Sequence, residues 1–410
     1  MTVQINSDRL WQSILDMAEI GATAKGGSAR LALSDEDRQA RDLFVDWCRA
    51  LDCDVEVDAL GNIFATRPGR AEVPPVMTGS HLDTQPTGGR FDGVYGVMAG
   101  LEVLRALDDA QLTTAHPLQV VCWTNEEGAR FQPAMVGSGA VAGAFDLAEV
   151  YAATDAQGLR LEDELRRIGY LGERPVAPPR ATAYLEAHIE QGPVLESAGE
   201  VIGVVTHQQG IRWYRVTVTG QECHAGTTPM PLRRDALMAA AELALTVRRI
   251  AEEHAPAGCG TVGVFDCLPG SPNTVPGQVH FSVDLRHPDN EVLQQMETQL
   301  RSAAESLGDR CQVEIDGYWQ YPARPFDATC IDAVQHAVEA LRYPHRRMIT
   351  GAGHDASYMA DVVPTSMIFI PCRDGISHNE VEYATPEHCA AGCEVLLHAM
   401  LTLAEGSGDA

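Results

Sequence analysis

Apolar and polar residues follow one another along this chain in two different rhythms, and the change of rhythm divides it. LWQSILDMAEI spaces its apolar residues by three and four, which predicts an amphipathic helix capped near Asn6 or Ser7. SDEDRQARDLFVDWCRAL repeats the spacing with Ser34 as its N-cap. CDVEVDALGNIFATR then reads as a hairpin turning at Leu60-Gly61-Asn62. Beyond it, unbroken apolar runs predict buried strands at VPPVMTGS, LQVVCWTN and ATAYLEAHIEQG, with VYGVMAGLEVLRAL a helix between the first two. Such alternation is the mark of an α/β sheet, whose polar chemistry collects where strands end.

From Gly203 the character changes. IRWYRVTVTG alternates like a half-exposed strand, RRDALMAAAELALTVRRIAEEH is a long amphipathic helix, and TVGVFD, QVHFSVDLR and CQVEIDGYW are further strands, with VLQQMETQLRSAAESL a helix before the last. That order predicts a compact α+β module. The first rhythm then resumes: PFDATCIDAVQHAVEALRY as helix, a GAGHDASYMA loop and helix, VPTSMIFIP as buried strand, and a closing helix from about Pro386. The expected architecture is therefore α/β: a split domain at 1–209 and 326–410, with a mixed sheet flanked by helices, around an inserted α+β domain at 210–325.

Composition narrows the function. A formal charge of −27, from 30 Lys+Arg against 57 Asp+Glu, argues against nucleic acid as a partner. The 45% hydrophobic content supports ample cores, and only the tail EGSGDA has a disordered composition. No run of about 18 apolar residues offers a membrane span. The N-terminus lacks the basic start of a signal peptide. Eleven scattered cysteines without C-x-x-C pairs read as free thiols in a reducing compartment, so a cytoplasmic location is expected, and Cys389 and Cys393 read as packing residues.

The candidate chemistry lies where apolar runs break. HLDTQPTGGRFD places His81 and Asp92 around a glycine-rich loop, and TNEEGARF places Glu126 and Glu127 directly after a buried strand. Imidazole and carboxylate donors with no thiolate nearby favour Zn, Mn, Co or Ni in a hydrolytic role. Asp83 stands two residues from His81, where its carboxylate would fix the imidazole tautomer. Adjacent glutamates leave the chain in different directions, so one can bind metal while the other faces the attacking water. His188 arrives at the end of its own strand. In GAGHDA, Asp355 is a candidate helix cap, and His354 is either a support for a ligand or a substrate contact.

GSHLDTQPTGGRFDGVYGV, TNEEGARF with GSGAVAG, HIEQGPVLE, GQECHAGTTPM with RRDA, NTVPG, VDLR, GAGHDA and PCRDGISHNE run in order from about residue 78 to 382. In them the chain resembles metallopeptidase family 20, within its amidase/hydantoinase-carbamoylase branch of N-carbamoyl-L-amino acid hydrolases, beta-ureidopropionases and allantoate amidohydrolases. The resemblance implies two divalent ions per subunit, with His81 and His188 on one, Glu127 and His378 on the other, and Asp92 as bridge. It implies Glu126 as general base, His224 as the donor to the oxyanion across a homodimer, and Gln191, Asn273 and Arg286 as holders of the substrate carboxylate and amide, with His354 beside them. The inserted module becomes a ferredoxin-like lid and dimerisation domain, and the substrate a small anionic ureido compound. A cis peptide bond after Asp92 is a further implication. The histidine at 188 and the spacing from NTVPG to VDLR weigh against a dipeptidase or acylase of the wider superfamily. His207 departs from the usual pattern at the hinge, which leaves its role open.

Overall fold

The computed structural model describes residues 3–405, so most of the EGSGDA tail lies outside the described residues. Two compact units emerge: one from residues up to Thr206 together with those from Phe326 onward, the other His207–Pro325.

The first unit begins with two capped helices. In α1 (Ser7–Glu19) the Asn6 side chain accepts the N–H of Arg9, and in α2 (Asp35–Arg49) the Ser34 hydroxyl accepts that of Asp37. Three acids in the first turn of α2 and Arg49 in its last both suit the helix dipole. The hairpin β1 (Asp54–Val57) and β2 (Ile63–Arg67) follows, with Val57 opposite Ile63. A buried pair ties α2 to its turn: Arg41 reaches Asp37 at 2.8 Å and donates to the Gly61 carbonyl at 2.7 Å.

Next come β3 (Val76–His81), α3 (Val94–Asp109), β4 (Leu118–Trp123), β5 (Ala183–Ile189) and β6 (Ile202–Gln208). The unit closes with α4 (Ala328–Leu341), β7 (His345–Thr350), β8 (Thr365–Ile370) and α5 (Pro386–Glu405). The sheet runs β1-β2-β4-β3-β5-β8-β6, with β7 also pairing to β6. Its centre, β4-β3-β5-β8, is parallel, while the outer pairings β1/β2, β2/β4 and β8/β6 are antiparallel. The four central strands are buried along their whole length, as continuous apolar runs require when helices cover both faces. α3 is buried nearly all round, and α5 packs against α1, α3 and α4. Because the central strands are parallel, their carboxyl ends share one edge, and the polar loops leave from it.

The second unit pairs strands 265–268, 278–287, 210–219 and 312–321 in that order, all antiparallel, with helices 236–253 and 290–305. Residues 278–287 alternate strictly between buried and half-buried, and Val279, Phe281, Val283 and Leu285 meet Leu243, Val247, Met296 and Leu300 in a separate core.

Two details differ from the sequence expectation. β6 and β7 have no clear alternation and were not anticipated. The expected strand at 261–266 is two pieces, 259–261 and 265–268, both on strand 278–287, because the pairing slips by one residue between Thr261 and Phe265. No helix of the described residues is long and apolar enough to cross a membrane.

All eleven cysteines are free, and Cys48, Cys53, Cys122, Cys311, Cys330, Cys372, Cys389 and Cys393 are buried. Burial pushes the Cys122, Cys330 and Cys372 thiols up to about 12. Titration of the native protein with a chromogenic thiol reagent at pH 8 is expected to label exposed Cys259 rapidly and half-buried Cys223 and Cys267 more slowly. The other eight should respond only after denaturant is added; fast labelling of all of them would contradict this packing.

Candidate metal centre

Four loops at the carboxyl edge of the parallel strands bring the chemistry together. His81 is the last residue of β3, Glu126 and Glu127 follow β4, His188 lies near the end of β5, and His378 sits in the loop after β8. Asp92 closes the β3 loop just before α3. The His81 Nδ1 lies 2.9 Å from the Asp83 backbone carbonyl, and the His188 Nδ1 2.9 Å from that of Ile189. Each carbonyl takes the Nδ1 proton and leaves the Nε2 lone pair facing inward. The Gly93 N–H donating to His188 Nε2 at 3.1 Å agrees with that tautomer.

Two triads result. Ligand atoms of His81, Asp92 and His188 all lie within 4.8 Å of one another, and so do those of Asp92, Glu127 and His378. Asp92 belongs to both, and its two oxygens divide: Oδ1 is 3.1 Å from His188 Nε2 and 3.6 Å from His81 Nε2, whereas Oδ2 is 3.4 Å from His378 Nε2. Glu127 stands 3.3 Å from His378 on the second side. Glu126 belongs to neither triad but reaches within 3.4 Å of His81 Nε2.

The electrostatics of this cluster fit divalent cations. Burial pushes the Glu126 carboxyl well above the usual carboxylate range, and Asp355, Glu127 and Asp92 add to it. Burial and Asp92 take Glu127 to about 7. Around Asp92 three imidazoles outweigh burial and hold its carboxyl well below the ordinary value. Burial disfavours a charged His81, yet Glu126, Asp92 and Asp83 together hold it well above its ordinary value. A hydrogen bond to Asp92 lifts His378 to about 9. Imidazole and carboxylate donors gathered in this way are the set that Zn, Mn, Co or Ni would take.

Several expected contacts take another form. The Asp83 carboxylate is 3.9 Å from the His81 ring, because its own backbone carbonyl already occupies Nδ1. It accepts instead the N–H groups of Glu126 and Glu127, each at 3.2 Å, and so orients both glutamates. The peptide bond after Asp92 is not among the cis bonds, which are all X-Pro. The chain turns instead at Gly93, where φ 66 and ψ −48 let the Val94 N–H reach the Asp92 carbonyl at 2.7 Å in a γ-turn. Asp355 is the first residue of its short helix and not its cap; His354 takes the cap position, and the Asp355 carboxylate accepts the Ser138 hydroxyl.

Gln191 donates to Asp92 Oδ2 at 2.7 Å, and both Gln191 and His378 hold positive φ, a strained backbone typical of functional sites. His354 is buried with its ring edge-on to His188, centroids 4.5 Å apart, and its Nε2 has no hydrogen-bond partner. His224, Asn273 and Arg286 belong to the second unit. The Ala225 N–H donates to the Asn273 carbonyl, and His224 Nδ1 accepts the N–H groups of Gly226 and Thr227, which leaves Nε2 as the donor. The Arg286 guanidinium pairs with Asp284 at 2.7 Å.

Sequence reasoning passed over Gln85, which donates to Glu127 at 2.7 Å, and Ser377 and Glu382, which reach the Asp92 loop. Glu382 is four residues beyond His378, one helical turn in spacing, but it lies in an irregular loop that gives no periodic signal.

Parallel strands with candidate metal ligands gathered at their carboxyl ends define an α/β protein with the makings of a hydrolytic centre, and the sequence profile of peptidase family M20/M25/M40 matches residues 77–402; the chain belongs to that family. The N-carbamoyl-L-amino-acid amidohydrolase of Rhizobium meliloti is 46% identical over 407 residues, covering 98% of this chain and 97% of the relative. The enzyme of that name from Geobacillus stearothermophilus is 38% identical over 413 residues, covering 98% and 100%. Among solved structures, an amidase of the hydantoinase/carbamoylase family from Burkholderia multivorans superposes with a TM-score of 0.93 at 53% identity, covering 98% of this chain and 99% of that one.

Gly93 offers a direct probe of the centre. A Cβ there would lie 2.4 Å from His81 Nε2, on a backbone that L side chains rarely adopt. Gly93→Ala is expected to cost about 1–3 kcal/mol from backbone strain and to leave gel filtration with less bound metal than the parent, as read by elemental analysis. Unchanged metal content would contradict the geometry.

Proposed function

We propose that the protein is a metal-dependent amidohydrolase that removes the carbamoyl group of N-carbamoyl-L-amino acids. The observation that carries the hydrolytic part is the pair of candidate ligand triads sharing Asp92, with the carboxyl of Glu126, a member of neither, beside them. The substrate class is supported by likeness to the carbamoyl-hydrolysing relatives along nearly the whole chain.

His81 and His188 would hold one ion, Glu127 and His378 a second, with Asp92 between them. Bound there, divalent ions would supply Lewis acidity toward the ureido carbonyl and lower the pKa of water. Glu126 accepts the proton of the attacking water and returns it to the nitrogen that leaves with the amino acid. Burial raises the proton affinity of its carboxyl, which suits a group that must hold a proton between two steps. Water and R-NH-CO-NH2 thus give R-NH2 and carbamic acid, which decomposes to carbon dioxide and ammonia. His224, with Nε2 as donor, is assigned to the carbonyl oxygen as negative charge develops there. Asn273 and Arg286, with Gln191 and His354, are assigned to the substrate's carboxylate and amide; Arg286 must then exchange its Asp284 partner for substrate.

The second unit acts in this reading as lid and dimer interface. Met238 and Leu245, two turns apart on helix 236–253, are exposed, as are Phe265 and Leu268, which suits a homodimer. Free thiols suit a cytoplasmic location.

Ammonia release from N-carbamoyl-L-methionine, N-carbamoyl-beta-alanine and allantoate tests the proposal. The first compound should turn over fastest, activity should vanish with a chelator and return with Zn, Mn, Co or Ni, and no turnover of any of the three by metal-replete protein would defeat it. Glu126→Gln should keep its metal and lose about 10²–10⁴-fold in kcat; full activity would remove Glu126 from the role of base.

A further inference from the structure

Glu382 is a buried acid that the proposed reaction does not use. It faces the Asp92 loop across 290 residues of chain: its Oε1 accepts the N–H of Phe91 at 3.0 Å and that of Asp92 at 3.1 Å. Its Oε2 is 2.8 Å from the Ser377 hydroxyl, which in turn lies 2.7 Å from Asp92 Oδ2. One side chain therefore grips Asp92 at both ends, by its backbone directly and by its carboxylate through Ser377.

The register of this grip is fixed from the side. Tyr383, next to Glu382, packs edge-on against Phe91, next to Asp92, with ring centroids 5.8 Å apart. The Arg373 N–H holds the Tyr383 carbonyl at 2.8 Å. Room has been left for the carboxyl as well: a Cβ on Gly89 would fall 2.0 Å from the Glu382 carboxyl carbon. A buried carboxyl beside a second one is costly, and the two backbone N–H groups that it accepts offset part of that cost.

We propose that Glu382 is a positioning residue that fixes Asp92, through the Phe91 and Asp92 amides and Ser377, so that its two oxygens can serve two metal ions at once. This rests on Asp92 as the shared ligand. Because Asp92 faces both triads, loss of the grip weakens both ions together, whereas loss of a ligand such as His188 or His378 would strike one first. The acceptor geometry matters, and glutamine of the same shape can supply it.

The test is competition of metal-free protein against a chromogenic chelator for Zn²⁺ and for Mn²⁺, with the thermal midpoint of the metal-free form measured alongside. Glu382→Ala is expected to bind both ions about 10–100-fold more weakly, Glu382→Gln to stay close to the parent, and Gly89→Ala, which displaces the carboxyl, to follow the alanine variant. Ser377→Ala removes only the hydroxyl link and should fold normally with a smaller loss at both ions. Parent-like affinity in Glu382→Ala, or a loss in Glu382→Gln equal to that in Glu382→Ala, overturns the proposal while leaving the metal centre standing. Should Glu382→Ala not fold, parent-like affinity in Ser377→Ala overturns it instead. A parent protein that takes up neither ion overturns both.

Discussion

Negative charge gathered out of reach of water is the constraint around which the first unit is arranged. Asp83, Asp92, Glu126 and Glu382 are buried, and Glu127 lies beside them at the carboxyl edge of the sheet's parallel centre. Such a group would repel itself apart unless something positive stood among its members or some members kept their protons. Three histidines provide part of the compensation, and backbone N–H groups provide more: those of Phe91 and Asp92 on Glu382, and those of Glu126 and Glu127 on Asp83. Cations would complete it. The rigid parallel strands behind the loops keep these charges from relaxing away from one another.

The chain thereby separates two kinds of support. Imidazoles are oriented by backbone carbonyls, as His81 is by Asp83 and His188 by Ile189, while carboxylates are oriented by backbone amides and by Ser377, Gln85 and Gln191. The centre is thus held by short loops that owe their shape to β3, β4, β5 and β8. Strain at Gln191 and His378 is tolerated because those strands over-determine the loops.

Much of the fold was legible because burial leaves simple patterns. Continuous apolar runs marked β3, β4, β5 and β8, and strict alternation marked residues 278–287. Ser34 and Asn6 announced their helices because a cap is a local event. The cluster at the strand ends was visible through abrupt changes from apolar to acidic, as at Trp123 to Glu126. What stayed hidden depends on three-dimensional competition. Nothing local says that the Asp83 carbonyl will reach the His81 ring before its carboxylate, or that Gly93 will turn the chain without a cis bond. Glu382 and Ser377 acquire meaning only through partners nearly three hundred residues away. β6 and β7 escaped because neither carries a rhythm of its own.

The division of the first unit into two stretches of chain has a consequence for the order of biosynthesis. A ribosome delivers β3, β4 and β5, and with them His81, Asp92, Glu126, Glu127 and His188, before the whole of His207–Pro325 and well before β8. Until β8 emerges, one edge of β5 has no partner along it, and the nascent sheet is open at its centre. His378, Ser377 and Glu382 emerge later still, so the second triad cannot exist on an unfinished chain, and Asp92 is without its grip until then. The continuous second unit can collapse first, while the discontinuous one waits for its far half. Assembly of the second triad is in this way tied to synthesis of the segment after β8, whereas every residue of the first triad precedes the second unit.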